Sequence, residues 1–276
     1  MTEAAQTSRD AIAVALARIA LAPGPDIMEV YAEDSPARRK ADGSPVTEAD
    51  ERAEAIIHAR LRELFPATPI VAEEAVAAGA RVVVADEFFL VDPLDGTREF
   101  VARNGEFTVN VALVRAGQPI AGAVYAPALG RLWFGGETAY QVEAPVGADL
   151  PEASLWRRIA TRRPSESLVA LASRSHSDAR TKAFLERLPI SGLRSAGSSL
   201  KFCVIAEGEA DVYPRFGPTM EWDTAAGHAV LAAAGGLVLT EAGEPFRYGK
   251  FAEGLRNGAF VAWGDPAAAA RCRAIG

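Results

Sequence analysis

Four groups of acids in this chain stand at the ends of apolar runs, where carboxylates can be aimed into a cleft. They are Asp50, the pair Glu73-Glu74, the run Asp92-Pro93-Leu94-Asp95-Gly96-Thr97, and Glu221-Trp222-Asp223-Thr224. Each has an ordinary explanation as well. Asp50 suits the first turn of a helix capped by Thr47. Glu73 and Glu74 read as solvated acids leaving a strand. Residues 92–97 have turn composition, and Asp223 could cap the alanine-rich helix after it. Together they point to chemistry. Asp92 ends an apolar strand and Asp95 follows three residues later across the stiff Pro93, so both carboxylates and the Leu94 carbonyl can converge. Ligands that are all oxygen suit a hard cation such as Mg²⁺, not zinc or copper. Gly96 and Thr97 then offer backbone N–H groups at a helix start, where a phosphate is readily held. Acids for metals beside donors for phosphate make a site for phosphoryl transfer or phosphate hydrolysis.

The surrounding sequence supplies the elements that would carry these groups. Residues 8–22 place Ile12, Leu16 and Ile19 on one helical face, closed by Pro23-Gly24. A second helix starts at Thr47, carries Ala53, Ile56, Ile57, Leu61 and Leu64 on one face, and stops before Pro66. Short strands at 69–72 and 88–91 run into the acids. A β-meander follows at 107–114, 120–125, 131–134 and 139–142, with glycine and proline turns between. Residues 143–167 show little periodicity, contain Arg157, Arg158, Arg162 and Arg163, and read as an inter-domain connection. Beyond them strands at 168–172, 193–195, 210–213, 236–240 and 260–263 alternate with helices at 177–188, 199–207, 223–234 and 266–274. The expected fold is α+β: an α+β half over 1–145 with most of the acids, and an α/β half over 165–276 that completes the site.

Composition narrows the function further. With a net charge of −7 and no basic stripe, the chain is a poor partner for nucleic-acid polymers, although bound metal could recruit a small polyanion. Cys203 and Cys272 have no metal-ligand spacing and make no disulfide framework, so a reducing cytoplasm is the expected setting. The apolar run 229–239 is too short to span a bilayer and contains Gly235-Gly236. No integral membrane segment is expected, and the partner is a small molecule acted on by a monomer or homodimer.

The run Asp92-Pro-Leu-Asp-Gly-Thr97, with Glu73-Glu74 upstream and Trp222-Asp223-Thr224-Ala225-Ala226-Gly227 downstream, resembles the inositol-monophosphatase superfamily of lithium-sensitive, Mg²⁺-dependent phosphatases. The resemblance extends over nearly the whole chain, from Ser44-Pro45-Val46-Thr47 to the last strand. It implies a layered α/β/α/β/α sandwich. It also implies that Glu73, Asp92, the Leu94 carbonyl, Asp95 and Asp223 hold two or three Mg²⁺ ions. Asp50 and Thr97 would orient and deprotonate the attacking water, with Gly96 and Thr97 on the phosphate.

Further motifs resemble the 3′(2′),5′-bisphosphate nucleotidase branch. They are Arg98-Glu99-Phe100, Asn104-Gly105-Glu106-Phe107-Thr108-Val109-Asn110, Ser173-Arg174-Ser175-His176, Gly197-Ser198-Ser199-Leu200-Lys201-Phe202-Cys203 and Tyr213-Pro214-Arg215-Phe216-Gly217-Pro218-Thr219. The branch implies nucleotide contacts at Ser173, His176, Gly197 and Lys201, and a role in recycling the nucleotide by-product of sulfate assimilation. It implies adenosine 3′,5′-bisphosphate as substrate, with 3′-phosphoadenylyl sulfate as a second candidate. Read without the resemblance, Lys201 is an exposed lysine on an amphipathic helix and His176 a helix cap. An inositol-phosphate or sugar-phosphate phosphatase is the neighbouring alternative. A non-catalytic nucleotide or Mg²⁺ sensor is the alternative of another class, and it would not need Asp50, Glu73, Asp92, Asp95, Thr97 and Asp223 all to be present. His228, inside the helix after Asp223, is expected to be structural.

Overall fold

The computed structural model describes residues 8–33, 38–39, 45–164, 166–173 and 179–273. The chain opens with α1 (Arg9–Leu21), capped by the Ser8 side chain, and α2 (Gly24–Ala32). A short hairpin of β1 (Arg38–Arg39) and β2 (Pro45–Val46) leads to α3 (Glu48–Leu64). Pro23-Gly24 ends the first helix, as its sequence implies, but a second helix follows at once. Pro25 occupies the first turn of α2, where its missing N–H costs nothing and its fixed φ suits a helix. The stretch Arg9–Ala32 is long and apolar enough to cross a membrane by composition. It breaks at Ala22–Pro23, however, and Ile12, Leu16, Ile19 and Ile27 are buried in the fold.

Next comes β3 (Ile70–Ala72), α4 (Glu73–Ala77), β4 (Glu87–Asp95) and α5 (Thr97–Val101). The meander follows as β5 (Thr108–Arg115), β6 (Gln118–Ala126), β7 (Arg131–Gly135), β8 (Ala139–Glu143) and β9 (Arg157–Ile159). These strands form a seven-stranded sheet in sequential order, with β3 parallel to β4 and every later pair antiparallel. The last strand lies within the stretch expected as a connection. It is a sheet edge with Arg157 and Arg158 exposed and Ile159 alone buried, so no apolar alternation marks it.

The second half contains β10 (Leu168–Ser173), α6 (Ala179–Glu186), β11 (Ile190–Ala196), α7 (Leu200–Ala206), β12 (Val212–Arg215) and β13 (Thr219–Met220). It ends with α8 (Trp222–Ala233), β14 (Leu237–Thr240), β15 (Arg256–Asn257), β16 (Phe260–Trp263) and α9 (Pro266–Arg273). Its five-stranded sheet has the order β11-β10-β12-β16-β14. Here β10 is parallel to both neighbours, while β16 is antiparallel to β12 and β14.

Period-two alternation builds the layers. Phe89, Val91, Val109, Val111, Ala123 and Tyr125 face α1, α2 and α3, whereas Phe88, Leu90, Ala112, Val114, Val124 and Trp133 face the opposite way. That second face packs on α7 and α8, which also cover Leu171, Tyr213, Val238 and Phe260 of the smaller sheet. The outer face of the smaller sheet, with Leu168, Ala170, Val212 and Val261, meets α6 and α9. The result is the expected α/β/α/β/α sandwich. The helix between the sheets lies very close to β6, because a Cβ at Gly122 would stand 2.8 Å from the Ala226 carbonyl oxygen. Small residues on both surfaces thereby bring the start of α8, and Asp223 with it, against the larger sheet.

Candidate active site

The sheet delivers the first acids. Asp92 is 1% exposed and still in register, opposite Asn110, but pairing slips between Asp92 and Asp95. The sequence suggested a turn here; the structure has a bulge within β4, which bends the strand and re-aims its side chains. The Leu94 N–H donates to Asp92 Oδ1 at 3.0 Å, locking the bend. Gly96 follows with φ +92° and starts α5 at Thr97. Only glycine takes that φ without strain, and a Cβ there would collide with Ser198 Oγ.

Asp50 comes from α3, and here the ordinary explanation and the functional one both hold. Its Oδ2 accepts the Thr47 N–H at 2.8 Å and the Thr47 hydroxyl at 2.7 Å, one arm of a capping box. Its Oδ1 lies 3.4 Å from the Thr97 hydroxyl, which also lies 3.4 Å from the Leu94 carbonyl oxygen. The cap therefore fixes the carboxylate that faces Thr97.

Glu73 is the first residue of α4 and Asp223 the second of α8. Asp223 accepts the Met220 N–H at 2.8 Å. Glu221, fully buried beside it, accepts the N–H groups of Gly249 and Lys250 and pairs with the Lys250 ammonium at 2.7 Å. These bonds pin the start of α8.

The carboxylates converge. One oxygen each from Glu73, Asp92 and Asp223 lie within 4.8 Å of one another. Burial, reinforced by the charges of Glu73, Asp95, Asp223 and Asp50, pushes Asp92 well above the usual carboxylate range. Burial and the charges of Asp95 and Glu73 do the same to Asp223, against the opposing Met220 N–H and Arg215. Burial lifts Asp95 to about 6, opposed by Lys201 and helped by Glu73 and Glu99. Buried like charges without a counter-ion are unfavourable. An all-oxygen set of this kind therefore fits a hard divalent cation.

Cations share the cleft with the acids. A cleft of about 280 Å³ is lined by both the acids Glu73, Asp95 and Asp223 and the cations Arg98, Lys201 and Arg215. Lys201 is 5% exposed, so the solvated-lysine alternative does not hold. Its ammonium donates to Ser198 O at 2.6 Å and Ala196 O at 3.1 Å, and burial lowers its pKa to about 8. Gly197 donates its N–H to the Glu106 carboxylate at 2.7 Å, next to the cleft-lining Ser198. Ser173 ends β10, where its backbone is placed; His176 lies outside the described residues. His228 is buried on α8, its Nδ1 3.1 Å from the Tyr248 hydroxyl, away from the cleft lining.

A profile described as the inositol monophosphatase family matches residues 6–270. The chain belongs to the inositol monophosphatase family. Proteins named 3′(2′),5′-bisphosphate nucleotidase CysQ are among its relatives. The one from Escherichia coli is 46% identical over 227 residues, which are 82% of this chain and 89% of the relative. The one from Haemophilus influenzae is 29% identical over 255 residues, 90% of each. The crystal structure of CysQ from Bacteroides thetaiotaomicron, a bacterial member of the family, has a TM-score of 0.76 and 38% identity, covering 92% of this chain and 97% of that one. Inositol monophosphatase from Anabaena shares the fold, with a TM-score of 0.72 at 23% identity over 96% of this chain and 95% of that one.

Inositol monophosphatase family members are generally Mg²⁺-dependent, which agrees with the acid cluster of this chain. Sequence alone does not single out Arg215 and Ser198, which line the cleft, or Glu106, which holds Gly197. They lie within motifs visible in the sequence, but nothing in one sequence shows that Gly197 and Glu106, 91 positions apart, share a bond. Arg215 had a usable signal, being a cation at the end of an apolar strand just before the Asp223 motif.

Proposed function

We propose that this chain is a Mg²⁺-dependent 3′(2′),5′-bisphosphate nucleotidase that hydrolyses adenosine 3′,5′-bisphosphate to AMP and phosphate. The observation that carries the reading is a cleft that Glu73 and Asp223 of the converging carboxylates line together with three cations. Mg²⁺, when held by Glu73, Asp92, the Leu94 carbonyl, Asp95 and Asp223, would supply Lewis acidity and screen the charge of the reacting phosphate.

The chain's own groups do the rest. Asp50 Oδ2 is occupied by Thr47, so Oδ1 is the oxygen turned to Thr97 and able to take a proton. The Thr97 hydroxyl has one proton, to give to Asp50 or to Leu94 O, and its lone pairs can accept from and orient a water beside the phosphate. The first N–H groups of α5 have no acceptor within the helix and suit the phosphate oxygens. Lys201, with Arg98 and Arg215, suits a second phosphate, a group that an inositol monophosphate lacks. Two cysteines, Cys203 buried and Cys272 partly exposed, carry free thiols, in keeping with a cytoplasmic enzyme.

The test is phosphate release from adenosine 3′,5′-bisphosphate and from inositol 1-phosphate, side by side, with Mg²⁺ and with EDTA. The expected result is Mg²⁺-dependent turnover that favours the nucleotide. Preference for inositol 1-phosphate would keep the acid cluster as a metal site and overturn the reading of Lys201.

A further inference from the structure

Glu54 lies on α3 one turn beyond Asp50, and its carboxylate caps a different helix. Oε2 accepts the N–H of Glu74 at 2.7 Å, and Oε1 accepts the N–H of Ala75 at 2.8 Å. Both groups belong to the first turn of α4, whose own N-cap residue, Ala72, makes no side-chain bond. A helix of five residues is far too short to sustain itself in water, and its leading N–H groups have no acceptor inside the helix. A carboxylate at that end also suits the helix dipole. The position of α4 is therefore set by α3.

That position matters because Glu73 is the first residue of α4 and contributes an oxygen to the cluster with Asp92 and Asp223. Like charges this close repel one another. Glu73 is partly exposed on a very short helix, while Asp92 is buried in the sheet, so Glu73 is the member best able to swing away. Glu54 is absent from the walls of the cleft, yet it shares a face of α3 with Asp50, four residues earlier. We propose that Glu54 is a positioning residue: by clamping the start of α4 onto α3 it keeps Glu73 in the acid cluster and so sets the affinity for Mg²⁺. One rigid helix then fixes both the water-orienting acid and a metal-holding acid. The inference rests on Glu73 being a Mg²⁺ ligand.

The test uses Glu54→Gln, Glu54→Ala, Glu73→Gln and, as a stability control, Ile57→Val in the buried face of α3. Mg²⁺ is titrated by thermal shift on the substrate-free protein and again by phosphate release at saturating nucleotide. Glu54→Ala should raise the half-saturating Mg²⁺ about 10-fold, the low end of what lost support of a metal ligand produces. Glu54→Gln keeps one acceptor and should shift less; it carries the test if the alanine variant does not fold. KM for the nucleotide and kcat at saturating Mg²⁺ should stay within about threefold of the parent, since the clamp touches neither substrate nor water. Ile57→Val should lower the Tm and leave the Mg²⁺ midpoint in place. A midpoint moved by Glu73→Gln but by neither Glu54 variant would overturn the clamp and leave the metal site standing. A midpoint moved by none of them would remove the metal reading of Glu73, and the clamp with it.

Discussion

The hydroxyl of Ser198 stands 2.8 Å from the carbonyl oxygen of Asp95, a residue 103 positions earlier, and 2.8 Å from that of Glu106. The loop entering α7 is thus seated on the bulge that carries Asp92 and Asp95. Lys201 holds the same loop from within through Ser198 O and Ala196 O. The Lys201 loop and the strand that carries Asp95 are consequently one mechanical unit.

Gly96→Ala should break that unit. Its Cβ would strike Ser198 Oγ and force a φ of +92° on a residue with a side chain. The strain alone is about 1–2 kcal/mol, and displacing the bulge should lower kcat/KM by about 100-fold or more. Gly79→Ala is the matched control, since Gly79 has φ +85° but nothing within 4 Å of an added Cβ. It should show the strain in its Tm and keep its kcat/KM. Equal activity losses in the two variants would mean that contact with Ser198 is irrelevant.

Asp95→Asn should abolish measurable hydrolysis, by more than about 100-fold in kcat, while circular dichroism remains that of the parent. The change removes one charge from a buried, crowded site, so the metal-free variant should be no less stable than the metal-free parent. Near-normal turnover in the folded variant would sink the assignment of Asp95 to the metal.

Mg²⁺ and pH should act on stability in opposite senses. Asp92, Asp95 and Asp223 all have folded-state pKa values raised above the ordinary carboxylate value, Asp95 to about 6. The folded, metal-free protein thus binds more protons than the unfolded chain. Stability from these groups is fully present below their unfolded pKa, near 4, and is lost as pH rises through the folded values. Metal-free Tm should therefore fall from pH 5 to pH 7.5. Mg²⁺ at about 100 times its dissociation constant should restore about 2.7 kcal/mol at pH 7.5. Its effect should shrink toward pH 5, where protons compete for the same oxygens. A Mg²⁺-induced shift that grows on acidification, read by differential scanning fluorimetry, would contradict this.

Lys201 should leave its mark on alkaline kinetics. Burial brings its pKa down to about 8, so its charge is lost as pH rises through that value. The kcat/KM for adenosine 3′,5′-bisphosphate should decline above about pH 8, and Lys201→Ala should lack that limb. The variant should lose about 10-fold or more for the bisphosphate, the usual scale for a charge-assisted bond, and less for inositol 1-phosphate. Equal losses on both substrates would show that Lys201 only supports the loop.

Much of this protein was legible in its sequence because local rules determine it. The order of the elements follows from apolar periodicity, and the strands at 107–114 and 260–263 match β5 and β16 closely. The acid run at 92–97, with Pro93 and Gly96 inside it, marked the candidate site at once, since two aspartates beside a stiff proline and a permissive glycine are a local pattern that one sequence displays. Where local signals were ambiguous the expectation failed: α2 was hidden by the Gly24-Pro25 pair, and β9 by its exposed arginines. Only the tertiary structure decided which distant groups meet. Folding the smaller sheet over α8 brings Asp223 to Asp92, and Ser198 to Asp95. It also buries Lys201 and sets Glu54 at the start of α4. Such contacts depend on packing across layers, and chain-local periodicity has no term for that.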